Sequence, residues 1–549
     1  MKVTKIPLAI HQVGRFRELL GILIKYDFDE FVHKSGLGKR LVSKKRLARI
    51  EALSRNERIR LAIEEMGPTF IKFGQILADR PDLVSAELRT ELKKLQDDAK
   101  PLDDNVAVNA IEEELGKTIN EVFSSFQQEH IASASIGQVY TGTLKSGENV
   151  IVKIQRPGIE KKILLDLDLL DIIARRVQKN NPDFQAINLS GVVDQFGKAI
   201  KQELNYNHEA TNLRRFSHNF HKDATIYVPE VFTDLSTSRL LIEERIQGLK
   251  VDDIEGLKKG GHDPVEIAHR GAKLMFKQIF RHGFFHADPH PGNIFIRDTN
   301  VISFIDYGMM GSLRPYHMDF LGKYVLGYVQ RDAEKITSAL LLLCGLQHYD
   351  RFEELEFEIS DLLKQYQFLS LKEMDFNEIM NRSIDIIVHF GLSIPPTIYL
   401  LIKALITIES VAVKLNPRFD MAKEMTPFAR ELFQKQIDPS RFAKKTMRTI
   451  NRYAAFFRDL PGELSEIVYK TKEGKLKIIM EHQGLEPLMR KLDIISKRIS
   501  VAIILAALII GASIISMWEH TRWVGSVVFI VAGIVGFWTM IRLLRRGRP

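Results

Sequence analysis

Residues 284–296 read FFHADPHPGNIFI, and no other stretch limits the fold so tightly. Two histidines, an aspartate, an asparagine, a glycine and two prolines sit between apolar runs. The flanking Phe and Ile residues favour burial as strands, whereas Pro289, Pro291 and Gly292 interrupt regular structure between them. The chain must therefore hold a polar loop rigidly between two buried segments. Two chemistries use such a loop. His286, Asp288 and His290 could ligate a transition metal, or Asp288 and Asn293 could act together on a phosphate.

Three further pieces, met in one chain order, decide between them. IASASIGQVY places small residues at Ala132, Ala134 and Gly137 with Val139 following. This is the spacing of a kinase phosphate-covering loop, with alanine in place of the first two glycines. VIVK puts Lys153 on the next strand, where a kinase lysine grips the α- and β-phosphates. In HADPHPGN, Asp288 and Asn293 are five apart, the offset of a kinase catalytic loop. FIDYG then gives Asp306 the place of the magnesium-holding aspartate. A lone lysine on a strand is ordinarily a solvated edge residue, and each piece alone is weak. Four in the right order leave coincidence a poor explanation. A hydrolytic metal site would leave residues 132–137, Lys153 and Asp306 without a role, so His286 and His290 read as loop-bracing hydrogen bonders.

The chemistry accounts for each residue type. A triphosphate needs backbone amides and a cation, which Ala132, Ser133, Ala134, Ser135, Ile136, Gly137 and Lys153 supply. Asn293 and Asp306 offer the oxygen ligands that Mg²⁺ prefers, and Asp288 is placed to orient or deprotonate the attacking group. SRLLIEERIQG reads as a buried strand reaching a polar connector, so the backbone at Glu244 and Ile246 is expected to receive the adenine. After Asp306 the sequence runs within a few residues into a helical pattern, and no A-P-E motif follows. A peptide-docking platform is therefore not expected, and a small hydroxyl compound, a lipid or water is the expected acceptor.

Charge and hydropathy place the chain at a membrane. The net charge of +9 suggests nucleic acid until it is located. Residues 441–498 hold fourteen Lys and Arg against seven Asp and Glu, and the tail RLLRRGRP (542–549) adds four arginines. Residues 441–549 thus carry +11 and residues 1–440 only −2, which argues against a nucleic-acid partner. ISVAIILAALIIGASIISMW (499–518) is free of charge and as a helix is about 30 Å long, enough to cross a bilayer. WVGSVVFIVAGIVGFWTMI (523–541) repeats the pattern after the short loop EHTR. Trp518 and Trp523 flank that loop, and basic residues lie outside both spans, so a hairpin with its ends and the large domain on the cytoplasmic side is expected. The single cysteine, Cys344, excludes an intrachain disulfide and suits a reducing compartment. The basic segment before the spans reads either as a solvated helical stalk or as a surface for anionic headgroups.

Across residues 50–440 the sequence resembles the UbiB family of atypical kinase-like proteins, which is linked to ubiquinone biosynthesis. FIKFGQ is similar to the family's K-x-G-Q signature at Lys72 and Gln75. ASAS at 132–135 resembles its alanine-rich loop, and HADPHPGNIF and FIDYG match its catalytic and metal-binding segments. The two C-terminal spans resemble those of bacterial members. The resemblance implies that Lys72 and Gln75 cover the site a peptide would otherwise occupy, and that Glu209 pairs with Lys153. One departure is ELNYNHEA, with Asn205 where the family often has Asp. Glu203 and Glu209 are six apart, about 240° around one helix, so both cannot face Lys153, and Glu203 is expected to meet Lys72.

The expected fold is α+β, a two-lobed protein-kinase-like fold with an N-terminal helical extension and a C-terminal transmembrane hairpin. Its order is a basic amphipathic segment (1–50), the K-x-G-Q extension (51–125), an N-lobe (126–250), a C-lobe (251–440), a basic stalk (441–498), two spans (499–541) and a tail (542–549). The expected activity is that of a membrane-anchored, kinase-like ATPase using ATP and Mg²⁺. The resemblance implies isoprenoid quinone intermediates, or the enzymes that make them, as partners in a bacterial-type inner membrane. Two alternatives stand beside it: a small-molecule or lipid kinase, and an ATP-binding pseudokinase scaffold.

Overall fold

The computed structural model describes residues 5–34, 53–95, 101–180, 188–346, 348–365 and 376–437, with scattered positions from 469 to 533. The chain divides into two units, residues 1–443 and 444–549. Most of the second, including most of the basic stalk, nearly all of the second uncharged span and the arginine tail, lies outside the described residues, and the first span is described only in part. Among the described residues no helix is long and apolar enough to cross a membrane.

The first unit is built around three main apolar cores. One lies under an antiparallel sheet in which β1 (Phe123–Phe126), β3 (Gly137–Leu144), β4 (Asn149–Gln155) and β5 (Leu240–Glu244) follow in that spatial order. The short β2 (Ala132–Ser133) pairs with β3. Along β4 the buried Val150, Val152 and Ile154 alternate with their neighbours and pack with Tyr140, Leu144 and Ile111. Because side chains alternate along a strand, this same pattern turns Lys153 to the opposite face. Ile111 belongs to the helix Asp104–Leu115, which closes the apolar face of the sheet.

The second core is helical. The helices Arg55–Met66 and Pro68–Ala78 pack with Ile159–Asn180, Leu189–Glu203 and the N-terminal helix Lys5–Lys25. A capping box between Ser54 and Glu57 starts the first of these. Gly67, at φ 97°, separates it from the second, which opens on Pro68 as the sequence leads one to expect. Arg15 pins the N-terminal helix by bonding buried Asp166 at 2.8 Å, and Thr69 donates to the same carboxylate.

The third and largest core fills the C-terminal lobe, where Pro264–Phe276, Pro315–Gln330, Ala333–Leu343 and Pro396–Leu415 surround two small sheets. In one, β6 (Leu249–Lys250), β8 (Ile294–Arg297) and β9 (Val301–Phe304) lie side by side; in the other, β7 (Phe284–His286) pairs with β10 (Met310–Ser312). The apolar residues flanking the opening loop form β7 and β8, which hold it at both ends.

One local reading needs correction. Glu203 and Glu209 do not share one helix: Leu189–Glu203 ends at Leu204, and Tyr206–Phe220 starts afresh with Asn205 as its N-cap. Asn205 accepts the Asn207 N–H through its side chain. Asn and Asp cap helices about equally well, so the departure from Asp preserves that function. Glu203 and Glu209 lie on different helices, and an angle measured around one helix does not describe them.

Candidate functional site

Lys153 is the centre of the N-lobe half of the site. Its Nζ lies 2.6 Å from Glu209 Oε1 and 2.9 Å from Glu243 Oε1. Glu209 comes from the helix Tyr206–Phe220, as the kinase-like order implies, and Glu243 from β5. Burial pulls the Lys153 ammonium towards neutrality, but Glu209, Glu243 and Asp306 outweigh it and hold the group well above the usual lysine range. Burial, reinforced by Asp306 and Glu243, pushes the Glu209 carboxyl up to about 7 even though Lys153 opposes it. Burial likewise raises Glu243.

The small-residue loop folds over the end of β3. The Ala134 N–H donates to the Gly137 carbonyl at 2.9 Å, and the Arg156 N–H to Ile136. Arg156 closes the loop from outside, bonding the Ala134 carbonyl through Nε and Ser133 Oγ through Nη2. Gly137 is required by proximity: a Cβ there would stand 2.5 Å from the Ile154 carbonyl oxygen and 2.8 Å from the Tyr206 hydroxyl. Farther along, the Glu244 N–H donates to Glu230 and its carboxylate accepts from Tyr227, while the Arg245 N–H donates to Asn149. Ile246 alone of these three has no backbone N–H bond among the described residues.

The C-lobe half is assembled by backbone hydrogen bonds. Buried Gln278 accepts the His286 N–H at 2.8 Å, the Ala287 N–H reaches Met309, and His286 Nδ1 accepts the Asp288 N–H at 3.2 Å. His286 is thereby a brace, and burial lowers its pKa and keeps its imidazole neutral. His290 is exposed and accepts the Gly292 N–H through Nδ1, a second brace. Asn293 donates through Nδ2 to the Asp288 carbonyl at 3.5 Å, and its own carbonyl accepts the Ile305 N–H at 3.2 Å. With Ile294 opposite Phe304 in register, the β8–β9 hairpin brings Asn293 beside Asp306.

Asp306 and Asn293 have the chemistry of magnesium ligands. Asp306 accepts the Gly308 N–H on Oδ1. Burial raises its pKa, but Lys153, that N–H and Lys72 more than reverse the effect, leaving it an ionised carboxylate. Asn293 is buried and spends its amide nitrogen on the Asp288 carbonyl, which leaves Oδ1 without a protein donor among the described residues. Among those residues no group of three or more His, Cys, Asp and Glu could hold a metal. One carboxylate and one amide suit Mg²⁺, which draws the rest of its octahedral shell from phosphates and water.

From the extension, Lys72 enters this half of the site. It pairs with Glu203 at 2.8 Å and contributes to the low pKa of Asp306. Gln75 instead donates to the Leu95 carbonyl at 3.3 Å, within the extension.

Three residues here escape sequence reasoning. Glu243 and Arg156 lie in ordinary strand and loop contexts. Lys403, on the helix Pro396–Leu415, places Nζ 3.8 Å from Asp288 Oδ1 and 3.0 Å from Asp79 Oδ2. No motif marks any of them. The charge of Glu243 at an inward position of β5 is the one available signal.

Residues 94–340 match the ABC1 atypical kinase-like domain, residues 359–420 the UbiB helical domain, and residues 483–545 the ABC1/UbiB kinase-like C-terminal domain. The probable protein kinase UbiB of Pseudomonas fluorescens (strain Pf0-1) is 35% identical over 421 residues, covering 75% of this chain and 79% of its own. That of Marinobacter nauticus (strain ATCC 700491 / DSM 11845 / VT8) is 30% identical over 476 residues, covering 86% and 87%. A solved structure of Rv3197 with erythromycin, from Mycobacterium tuberculosis, aligns with a TM-score of 0.44 at 23% identity, covering 66% of this chain and 93% of that one.

Proposed function

The chain belongs to the UbiB family of ABC1 atypical kinase-like proteins, and on that premise we propose that it is a membrane-anchored, kinase-like ATPase serving isoprenoid quinone biosynthesis. One observation carries the catalytic part. Lys153 is paired with Glu209 near ionised Asp306, and the loop holding Asp288 and Asn293 is tied by backbone hydrogen bonds to the strand that precedes Asp306. A scaffold that used ATP only as a structural ligand has no need of this base and metal pair.

Lys153 and the loop 132–137 hold the triphosphate of ATP, and Ile246 is the hinge position whose amide is left to meet the adenine. Asn293 and Asp306 hold Mg²⁺, which when bound neutralises phosphate charge. Asp288 orients the acceptor hydroxyl or water and takes its proton as the new oxygen–phosphorus bond forms. The bond to the β–γ bridging oxygen breaks, and ADP leaves with that electron pair. β10 pairs back onto β7 directly after Asp306, and a helix begins at Pro315. This compact return provides no long segment for docking a peptide and favours water, a small molecule or a lipid as acceptor. The two uncharged spans would keep the protein beside a polyprenyl substrate.

The test uses the full chain in anionic-lipid liposomes with ATP and Mg²⁺, following free phosphate and labelled lipid or protein. Phosphate release that is lost in Asp288→Asn, without a labelled protein, supports this reading. A labelled lipid makes the protein a lipid kinase. Nucleotide binding with no turnover, indifferent to Asp288→Asn, returns it to the scaffold class.

A further inference from the structure

The loop from Asp288 to Asn293 carries Pro289, His290, Pro291 and Gly292, and thus no permanent cation. Phosphoryl transfer spreads negative charge over three equatorial oxygens between nucleotide and acceptor, and a cation there acts on the transition state. Lys153 is committed to Glu209 and Glu243 in the N-lobe half of the site. Lys403 places a cation near Asp288.

Its two partners differ. At 3.0 Å from Asp79 the ammonium is within hydrogen-bond range, whereas 3.8 Å from Asp288 is beyond it. Asp79 ends the helix Pro68–Ala78, which bears Lys72 and Gln75. The turn after it is seated on the helix of Lys403. The Arg80 guanidinium lies 5.4 Å from the Tyr399 ring centroid, one helical turn before Lys403, and Asp82 holds Arg80 through both carboxylate oxygens. A four-carbon stem lets an ammonium exchange partners a few ångströms apart without backbone movement.

We propose that Lys403 is a catalytic residue that faces the transferred phosphoryl group beside Asp288, and that Asp79 restrains it. The extension thereby sets how much of this cation the reaction receives. The inference rests on the function proposed above and adds to it a residue and a restraint.

Two substitutions break the same ion pair yet have opposite expected effects. In liposomes at saturating ATP, Lys403→Met lowers kcat by about 100-fold, the scale of losing one preorganised charge-stabilising group, and leaves the KM for ATP within about threefold. Asp79→Asn releases the ammonium towards Asp288 and raises kcat severalfold. Lys403→Arg keeps the charge and retains part of the activity. If Lys403 only staples the extension to the C-lobe, both disruptions move kcat in the same direction, and that result overturns the proposal. So does a Lys403→Met effect confined to KM. Should Lys403→Met fail to fold, a fall in kcat for Asp79→Asn overturns it alone. Asp288→Asn is run alongside: turnover that ignores this change removes the function reading and the inference together, whereas Asp288-dependent turnover with parallel effects removes the inference only.

Discussion

Glu243 Oε1 lies 2.9 Å from the Lys153 ammonium, so two buried carboxylates, rather than Glu209 alone, claim the lysine that would hold phosphate. Glu243 Oε2 is buried with no hydrogen-bond partner among the described residues. A nucleotide must therefore approach a lysine that already has surplus negative charge around it. Glu243→Gln removes that surplus and keeps the shape. The expected outcome is tighter binding of magnesium–ATP by about 1 kcal/mol, roughly fivefold in Kd. Isothermal titration calorimetry measures it, and unchanged or weaker binding contradicts it.

The pKa of Glu209 gives magnesium–ATP binding a pH dependence. With its pKa raised to about 7, the carboxyl carries a fraction of a proton before magnesium–ATP binds. Burial is the largest cause, and Asp306 adds to it by repulsion. Magnesium at Asp306 cancels that repulsion, lowers the Glu209 pKa and releases the proton. Binding that releases a proton is favoured as pH rises, so affinity increases from pH 6 to pH 8. Calorimetry in buffers of different ionisation enthalpy detects the proton, and Glu209→Gln abolishes its release. For folding the sign is opposite. A carboxyl raised in the folded state contributes most below its unfolded pKa, and that contribution is lost as pH climbs through about 7.

Lys72 helps hold Asp306 ionised and so competes with a metal for it. Replacing it with alanine lowers the magnesium concentration that gives half-maximal turnover, by about threefold on the scale of a partly screened charge. Its pair with Glu203 is partly exposed, and such pairs contribute little to stability. The melting temperature therefore stays nearly constant. A magnesium titration of turnover beside a melting curve separates the two effects.

Gly137→Ala drives a methyl group into the Ile154 carbonyl and the Tyr206 hydroxyl. The strands cannot part without breaking the β3–β4 ladder, so a loss of about 1–3 kcal/mol is expected. The melting temperature drops and the Kd for ATP rises. A variant that melts like the wild type would show that this close approach is not required.

The loop at 288–293, Lys153 and Asp306 could be singled out in the sequence because their chemistry is concentrated in short motifs. Glu209 and Lys72 became legible through resemblance. The expected pairing of Glu203 with Lys72 is present, though it arises from a helix break at Leu204 that periodicity did not reveal. The N-cap at Asn205 marks that break, and an Asn inside a helical pattern also suits a solvated face. Glu243, Arg156 and Lys403 were hidden because a side chain's distance from a site across the fold leaves no local pattern. At Glu244, the backbone and side-chain bonds to Glu230 and Tyr227 have no sequence sign either, and among the described residues they leave only Ile246 of the expected pair with an uncommitted amide.

Asn293 and Asp306 stand at the open ends of one tight hairpin, joined by the bond from the Ile305 N–H to the Asn293 carbonyl. Lys153 stands on a different sheet altogether. An engineer wishing to change how strongly this protein grips a nucleotide can therefore redesign β4 and its covering loop as a separate part. The pair proposed to hold magnesium is not divisible in that way. To move it to another scaffold, residues 288–308 would have to be transplanted whole, with the hairpin serving as the gauge that keeps its two ligands at a fixed spacing.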